Sequence, residues 1–478
     1  MNIVALLQDA ERPAIIEPDG RTLSFTALRQ RVGTVAGGLV DLGLRPGDRV
    51  VLLVPMSIEL YVALLALFHV GATAVLIDPS APISTILTRH APVAMIGSPR
   101  AHLLRLKLRP LRGLGLYVST GFIPIPHRRL SQIQGVIPPV DPGDHPALLT
   151  FTTGTTGTPK AIARSHAFLL TQHRILAEHL RLAPGDVDMP TLPVFLLHSL
   201  ASGATCVLAD ADLRRPGDVD PDRLIDQIRT VGVTSISGSP AFFGPLARRL
   251  LERGECLSGL EHLHTGGARV PVGMLKALCR AAPEAEISIV YGSTEAEPIA
   301  VLPVRENLQD LEDGARSGRG ALVGQPVRQL QVRLDEDEIL VAGPHVNQGY
   351  DQDPEADAEN KVRENGRVWH RTGDAGYRDA DGRLWLVGRA GGRVGGVWPM
   401  QVEAPAELLP FVVKAGLAEV AGEAVLACAV SGAPAGWEAM VTEAAGGVRV
   451  VEVEAVPVDP RHNAKVDRRR LEAMLSGR

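Results

Sequence analysis

An apolar, β-branched run, Arg49–Val54, leads into a helical stretch from Ile58 to Val70 and then into a second apolar run, Ala74–Ile77. The same rhythm returns at Thr205–Ala209, Thr234–Ser237 and Ile287–Val290. Strands that alternate with helices build largely parallel sheets with helices packed on their faces, so the chain belongs to the α/β class. Its 478 residues exceed what one hydrophobic core organises, and two or more domains are expected.

One of the apolar runs, Ala147–Phe151, empties into a turn of hydroxyls and glycines, Thr152-Thr-Gly-Thr-Thr-Gly-Thr-Pro-Lys160. Glycines let a backbone curl until its N–H groups face an anion, threonine hydroxyls add donors, and Lys160 supplies a point charge. The pattern describes a phosphate cradle built from Thr152, Thr153, Gly154, Thr155, Thr156, Gly157 and Lys160. It differs from the P-loop of common NTPases, because two residues separate Gly154 from Gly157 and Thr158-Pro159 intervene before the lysine.

Composition narrows the function classes. Hydrophobic residues at 45%, charged residues at 22% and a net charge of −5 describe a globular protein with no basic excess, which argues against a nucleic-acid partner. Four dispersed cysteines, Cys206, Cys256, Cys279 and Cys428, form no CxxC pair or zinc spacing and read as reduced core residues in the cytoplasm. The N-terminus carries no basic start or cleavage site, and runs such as Leu60–Val70 are too short to span a bilayer.

Between about Ile123 and Pro146 the chain is proline-rich and aperiodic, a lead-in crossing the surface towards the phosphate loop. Past Glu338–Gly343 the texture changes to short strands and turns, with Asp381-Gly382 marking a hairpin between Tyr377 and Leu384–Val387. The Gly-rich segment Gly388–Val397 reads as a hinge, followed by a small α+β unit with a strand at Ala424–Val430. Arg100, Arg105, Lys107, Arg109 and Arg112 interleave with leucines, a pattern open to a membrane surface, a partner protein, or a basic surface helix with a buried leucine stripe.

Four further segments, taken with the phosphate loop, resemble in order and spacing the motifs of the adenylate-forming (ANL) superfamily of acyl-CoA synthetases, adenylation domains and luciferases. Tyr291-Gly-Ser-Thr-Glu295 follows a buried strand, where ligand-binding loops sit in parallel sheets. The resemblance implies that Tyr291 covers the adenine beside Gly292, Thr294 bonds the α-phosphate, and Glu295 holds Mg²⁺, which prefers oxygen ligands. Arg371-Thr-Gly-Asp374 matches the motif whose aspartate binds the ribose, and Arg389 of Gly388-Arg389 contacts ribose or phosphate. Arg461-His-Asn-Ala-Lys465 matches the last motif, in which Lys465 reaches the carboxylate and α-phosphate to stabilise developing charge. Gly267 and Ala268, within His264–Arg269, resemble the adenine-pocket wall. The likeness runs from about Thr22 to Lys465.

The superfamily fold implies a large N-terminal domain over 1–389, a hinge at 390–397 and a mobile α+β lid over 398–478, with ATP and Mg²⁺ held between the domains. After Gly-Arg the thioester-forming members carry x-x-Asp-x-Ile-Lys-x-x-Gly, yet here those positions are Gly392, Gly395 and Trp398. Tyr291–Pro298, Arg461–Lys465 and Val75–Pro79 resemble the olefin β-lactone synthetases instead. The expected reaction is ATP-dependent adenylation of a carboxylic acid, with a β-hydroxy acid then closing on itself to a β-lactone and expelling AMP. An acyl-CoA or acyl-carrier ligase is the alternative, and a catalytically silent nucleotide-binding scaffold the second. His198, in Leu192–Ser199, is the candidate base for the hydroxyl, against a satisfied core histidine. His166 follows the phosphate loop in a structural or phosphate-side role. The partners expected are the small carboxylic acid and pathway enzymes.

Overall fold

The computed structural model describes residues 2–78, 81–141, 143–153, 159–459 and 465–477, with the backbone alone at Thr153. The chain divides into two compact units. The first comprises Met1–Ala209, Thr294–Ala296 and Pro344–Arg363, and the second Asp210–Ser293, Glu297–Gly343 and Glu364–Arg478.

The first unit contains a seven-stranded sheet in the order Arg128–Arg129, Leu116–Ser119, Ala94–Gly97, Arg49–Leu53, Thr73–Leu76, Pro146–Thr153, Pro159–Ser165. Every pairing is parallel except the last, an antiparallel hairpin that sets Thr152 opposite Lys160 and Thr153 opposite Pro159. The sequence shows only the first arm of that hairpin as an apolar run. The second arm, Pro-Lys-Ala-Ile-Ala-Arg-Ser, mixes charges into the strand and hides its period.

The helix Ile58–Val70 starts at Ser57, whose hydroxyl accepts the Leu60 N–H at 3.2 Å, and ends at Gly71, whose φ of +80° suits glycine. Every residue of it except Glu59 is buried. A helix apolar all round belongs in a core, and each of its leucines contributes roughly 1.5–3 kcal/mol by burial. The proline-rich lead-in crosses the helix Phe25–Asp41 at Gly37 and Gly38, where a Cβ on Gly37 would sit 2.3 Å from the Gly135 carbonyl carbon. A second group of strands, Val187–Pro190, Thr205–Val207, Pro13–Ile16 and Thr22–Ser24, also lies in this unit.

In the second unit the strands Ser235–Gly238, His262–Gly266 and Glu286–Ser293 run parallel, joined through helices Pro240–Arg253 and Val272–Ala281. Beyond Ala296–Pro303 the pairing turns antiparallel through Ala321–Pro326, Leu384–Arg389, Arg367–Arg378, Glu338–Ala342 and Gln331–Asp335. The change of texture therefore starts earlier than the sequence expectation at Glu338. The expected hairpin is present, with Gly382 at φ +79°. Towards the C-terminus, Val412–Val420, Glu423–Val430 and Arg449–Glu452 form a three-stranded sheet flanked by Trp437–Ala444 and Arg468–Ser476.

Two expectations need correction. Arg100–Arg112 is not one helix: it breaks into Pro99–His102, Leu104–Lys107 and a 3₁₀ turn, Arg109–Leu111. Proline at 99 opens the first turn and proline at 110 lies in the last; Leu111 is buried while Leu103 and Leu106 face solvent. The cysteines are not all core residues either, because Cys256 is exposed in the turn after helix Pro240–Arg253.

Candidate active site

In the first unit the antiparallel hairpin Pro146–Thr153/Pro159–Ser165 receives two later pieces of chain. Tyr350 bridges to Ile162, and Val346 to Ala296. Buried Arg164 donates to Thr150 Oγ1 and to the Thr294 carbonyl, both at 2.8 Å, fixing the backbone just ahead of Glu295. Asn347 completes the seat: its N–H donates to the Glu295 carbonyl at 2.7 Å and its Nδ2 to the Ala163 carbonyl at 3.1 Å.

On this seat Glu295 is buried, and Tyr350 Oη donates to its Oε1 at 3.0 Å. Burial, with the Glu295 charge second, pushes the Tyr350 hydroxyl well above its ordinary value, so it remains a donor. Two lysines flank the Tyr350 ring, Lys160 Nζ at 5.8 Å from its centroid and Lys361 Nζ at 5.1 Å. Lys160 pairs with Glu359 at 2.8 Å. Lys361 is buried, donates to the Asn347 carbonyl at 2.6 Å, and is brought down to about 8 by desolvation, against the opposing pull of Glu295 and Asp357. Gly154, Thr155, Thr156 and Gly157 lie outside the described residues, as does the Thr153 side chain.

In the second unit Tyr291 lies near the end of the strand Glu286–Ser293, one residue past the pair Gly266↔Val290. A Cβ on Gly266 would stand 2.2 Å from the Val290 carbonyl oxygen, so only glycine lets the two strands approach this closely. The turn that follows, with Gly267 at φ +82° and Ala268 half-buried, starts alongside Tyr291 and Gly292. Tyr291 Oη donates to Asp374 Oδ2 at 2.9 Å, and Arg389 Nη1 donates to Asp374 Oδ1 at 2.7 Å. Asp374 and Arg389 face each other across paired strands. Gly373, at φ +68°, leaves room for the guanidinium: a Cβ there would stand within 2.3 Å of Arg389 Nη2. Thr372 Oγ1 accepts the Asp374 N–H at 3.0 Å and itself donates to the Ile339 carbonyl at 2.8 Å. Burial raises the Tyr291 hydroxyl well above its ordinary value and Asp374 adds to the shift, so this tyrosine is also a donor.

After Arg389, Trp398 and Gly395 are closely fitted. Trp398 is buried against Ala375 and Val387, and its ring abuts Gly388. Gly395 has φ +53°, and a Cβ there would sit 3.0 Å from Ala424. Lys465 is exposed, with its backbone tied to Asp459 by N–H to Oδ1 at 3.1 Å. His198 is buried on the helix Pro193–Ser202, its Nδ1 3.0 Å from Nδ1 of His173. His166 is buried, accepts the Ile3 N–H at 3.4 Å and packs edge-on to Phe68; burial lowers it to about 4, consistent with a structural place.

The family model described as AMP-binding enzyme matches residues 5–351. The chain belongs to the AMP-binding enzyme family. It is an AMP-forming ligase that uses ATP to activate a carboxylic acid. An olefin beta-lactone synthetase of Stenotrophomonas maltophilia is 33% identical over 95% of this chain and 91% of its own length. One from Xanthomonas campestris is 33% identical over 94% and 90%. Solved structures share the fold: amide bond synthetase McbA from Marinactinospora thermotolerans has a TM-score of 0.82 at 23% identity, covering 99% of this chain and 98% of its own. The anthranilate CoA ligase AuaEII with anthranoyl-AMP reaches 0.84 at 20% identity, covering 99% and 97%. Among the described residues no helix is long and apolar enough to cross a membrane.

Within this AMP-binding fold, the residues that sequence reasoning missed are Arg164, His173, Asn347, Tyr350, Glu359 and Lys361. Asn360-Lys-Val-Arg-Glu364 is polar at every position but Val362, like a solvated edge strand, so no local signal marks Lys361 as buried. Tyr350 sits 55 residues from the glutamate that it meets, beyond the reach of any spacing argument.

Proposed function

We propose that this ligase adenylates a β-hydroxy acid and that the substrate's own hydroxyl then closes a β-lactone. The carboxylate oxygen attacks the α-phosphorus of ATP and the bond to pyrophosphate breaks. The β-hydroxyl oxygen next attacks the acyl carbon, the acyl–phosphate bond breaks, AMP leaves, and the hydroxyl proton passes to a base. Holding both reacting groups in one molecule gives this closure its effective molarity.

The observation that carries the reading is the segment after Arg389. Where thioester-forming relatives place a lysine, this chain has Gly395, left-handed and 3.0 Å from Ala424 for any added Cβ. Where they place a glycine it has buried Trp398. The two near-full-length olefin beta-lactone synthetase matches agree with it. Lys160 and the Thr-Gly turn serve the leaving pyrophosphate, Asp374 and Arg389 the ribose, Tyr291 with Gly267 and Ala268 the adenine. Thr294 serves the α-phosphate and Lys465 the developing charge. The oxygen donor of Glu295 suits Mg²⁺, which would neutralise phosphate charge when bound. His198 fits the base: in its Nδ1–Nδ1 contact with His173 one ring must donate, and where His198 donates, its Nε2 carries the basic lone pair. Residues 398–478 act as the lid that carries Lys465, with 390–397 as its hinge.

The test incubates the protein with ATP, Mg²⁺ and a panel of fatty and β-hydroxy acids, with and without CoA, and identifies products by mass. A lactone formed without CoA is expected, and a CoA-dependent thioester rejects the proposal. Lys465→Ala should lower pyrophosphate release by about a hundredfold or more while ATP still binds. Unchanged release in that variant removes Lys465 from the mechanism.

A further inference from the structure

No aspartate or glutamate lies between Asp78 and Asp141, the longest acid-free stretch of the chain. Apart from Arg89, which pairs with Asp353 at 2.9 Å, the arginines and the lysine within it gather at one end of the seven-stranded sheet, where Arg128–Arg129 is the edge strand beside Leu116–Ser119. Arg105 joins the pieces: its guanidinium lies 3.4 Å from the Tyr117 ring centroid and donates to the Pro126 carbonyl at 3.1 Å. Arg112 donates in turn to the Arg105 carbonyl at 3.1 Å. On the other side Pro99 abuts Gly121, and the Arg129 guanidinium lies 5.1 Å from the Phe122 ring. Arg100, Lys107, Arg109 and Arg128 are exposed on this braced surface.

Large apolar side chains protrude among these charges. Leu103 is 59% exposed, Leu106 64% and Phe122 68%. Leu103 and Leu106 point outward while Leu104, Leu108 and Leu111, at helical spacing i, i+4, i+7, stay with the core. A purely electrostatic surface gains nothing from exposed leucine and phenylalanine. An anionic lipid interface rewards both features, since basic groups meet headgroup charge and apolar tips enter the acyl boundary.

We infer that this sheet edge is a docking surface for an anionic lipid bilayer, which the ligase binds peripherally. The full-length protein is sedimented with vesicles of phosphatidylcholine alone and of phosphatidylcholine with an equal part of phosphatidylglycerol. Binding is expected to the mixed vesicles only, and to fall as salt rises. Replacing Arg100, Lys107, Arg109 and Arg128 with glutamine should lower the partition several-hundred-fold, at about fivefold per charge. Leu103→Ser with Leu106→Ser and Phe122→Ser should lower it about tenfold or more at unchanged charge. Both sets are exposed side chains, so circular dichroism and pyrophosphate release with a water-soluble acid should match the parent. No binding to mixed vesicles, or equal partition of parent and glutamine variant, overturns the inference. So does tighter binding to a single-stranded oligonucleotide than to the vesicles, or a dimer that the glutamine variant dissolves.

Discussion

Glu295 and Asp374 are the same construction in two settings. Each carboxylate accepts a tyrosine hydroxyl, from Tyr350 at 3.0 Å and from Tyr291 at 2.9 Å. Each tyrosine is held protonated by burial and by the carboxylate it serves. The cations differ. Glu295 is buried near a buried Lys361, whereas Asp374 pairs with an Arg389 that is 62% exposed. An exposed arginine can swing away and yield its place to ribose hydroxyls at a cost of under about 1 kcal/mol. A buried carboxylate among fixed donors cannot be rearranged so cheaply, which suits the metal-holding role proposed for Glu295.

The sharpest way to break this contrast is Glu295→Gln, which keeps the shape and removes the charge. Adenylation should fall by about 10²–10³ in kcat with ATP affinity little changed, read by pyrophosphate exchange. A simple rise in KM for ATP instead would make Glu295 another binding group like Asp374.

Lys361 gives a pH test. Its folded value of about 8 lies below the ordinary 10.5, so the unfolded chain holds the extra proton between those values. The burial cost is therefore complete below pH 8 and is relieved as pH rises towards 10.5, by roughly 3 kcal/mol at most. In urea unfolding the parent should gain stability relative to Lys361→Met across that window. A constant difference between the two proteins would show that the lysine is not desolvated in solution.

The two tyrosines separate next. Tyr350→Phe should cost about 2 kcal/mol, since a buried carboxylate loses a donor, and Tyr291→Phe about 1 kcal/mol because Arg389 still serves Asp374. Equal losses in chemical denaturation would erase the distinction. Arg389→Ala should have the smallest effect, a several-fold rise in KM for ATP with unfolding free energy changed by less than about 1 kcal/mol.

Much of the second carboxylate's surroundings was legible in the chain, and little of the first's. Tyr291, Asp374 and Arg389 each sit in a recognisable strand-end or turn motif, and the structure brings the three together. Around Glu295 the motif supplied only the glutamate and Lys160, because the partners come from Pro344–Arg363, a piece without apolar periodicity. The basic stretch at Arg100–Arg112 shows the same limit: its composition was plain, but that Leu104, Leu108 and Leu111 pack inward while Leu103 and Leu106 face solvent is seen only in the fold.

By itself the sequence determined the class of fold, through buried runs alternating with helices, and the adenylating chemistry, through short motifs whose residues act within a few positions of one another. Backbone periodicity and turn chemistry are local, so a chain displays them openly. Which tyrosine meets which carboxylate, which lysine is stripped of water, and which face of the basic stretch meets solvent were decided only in the tertiary structure. Those outcomes depend on burial between segments distant in sequence, and burial is a property of the packed molecule.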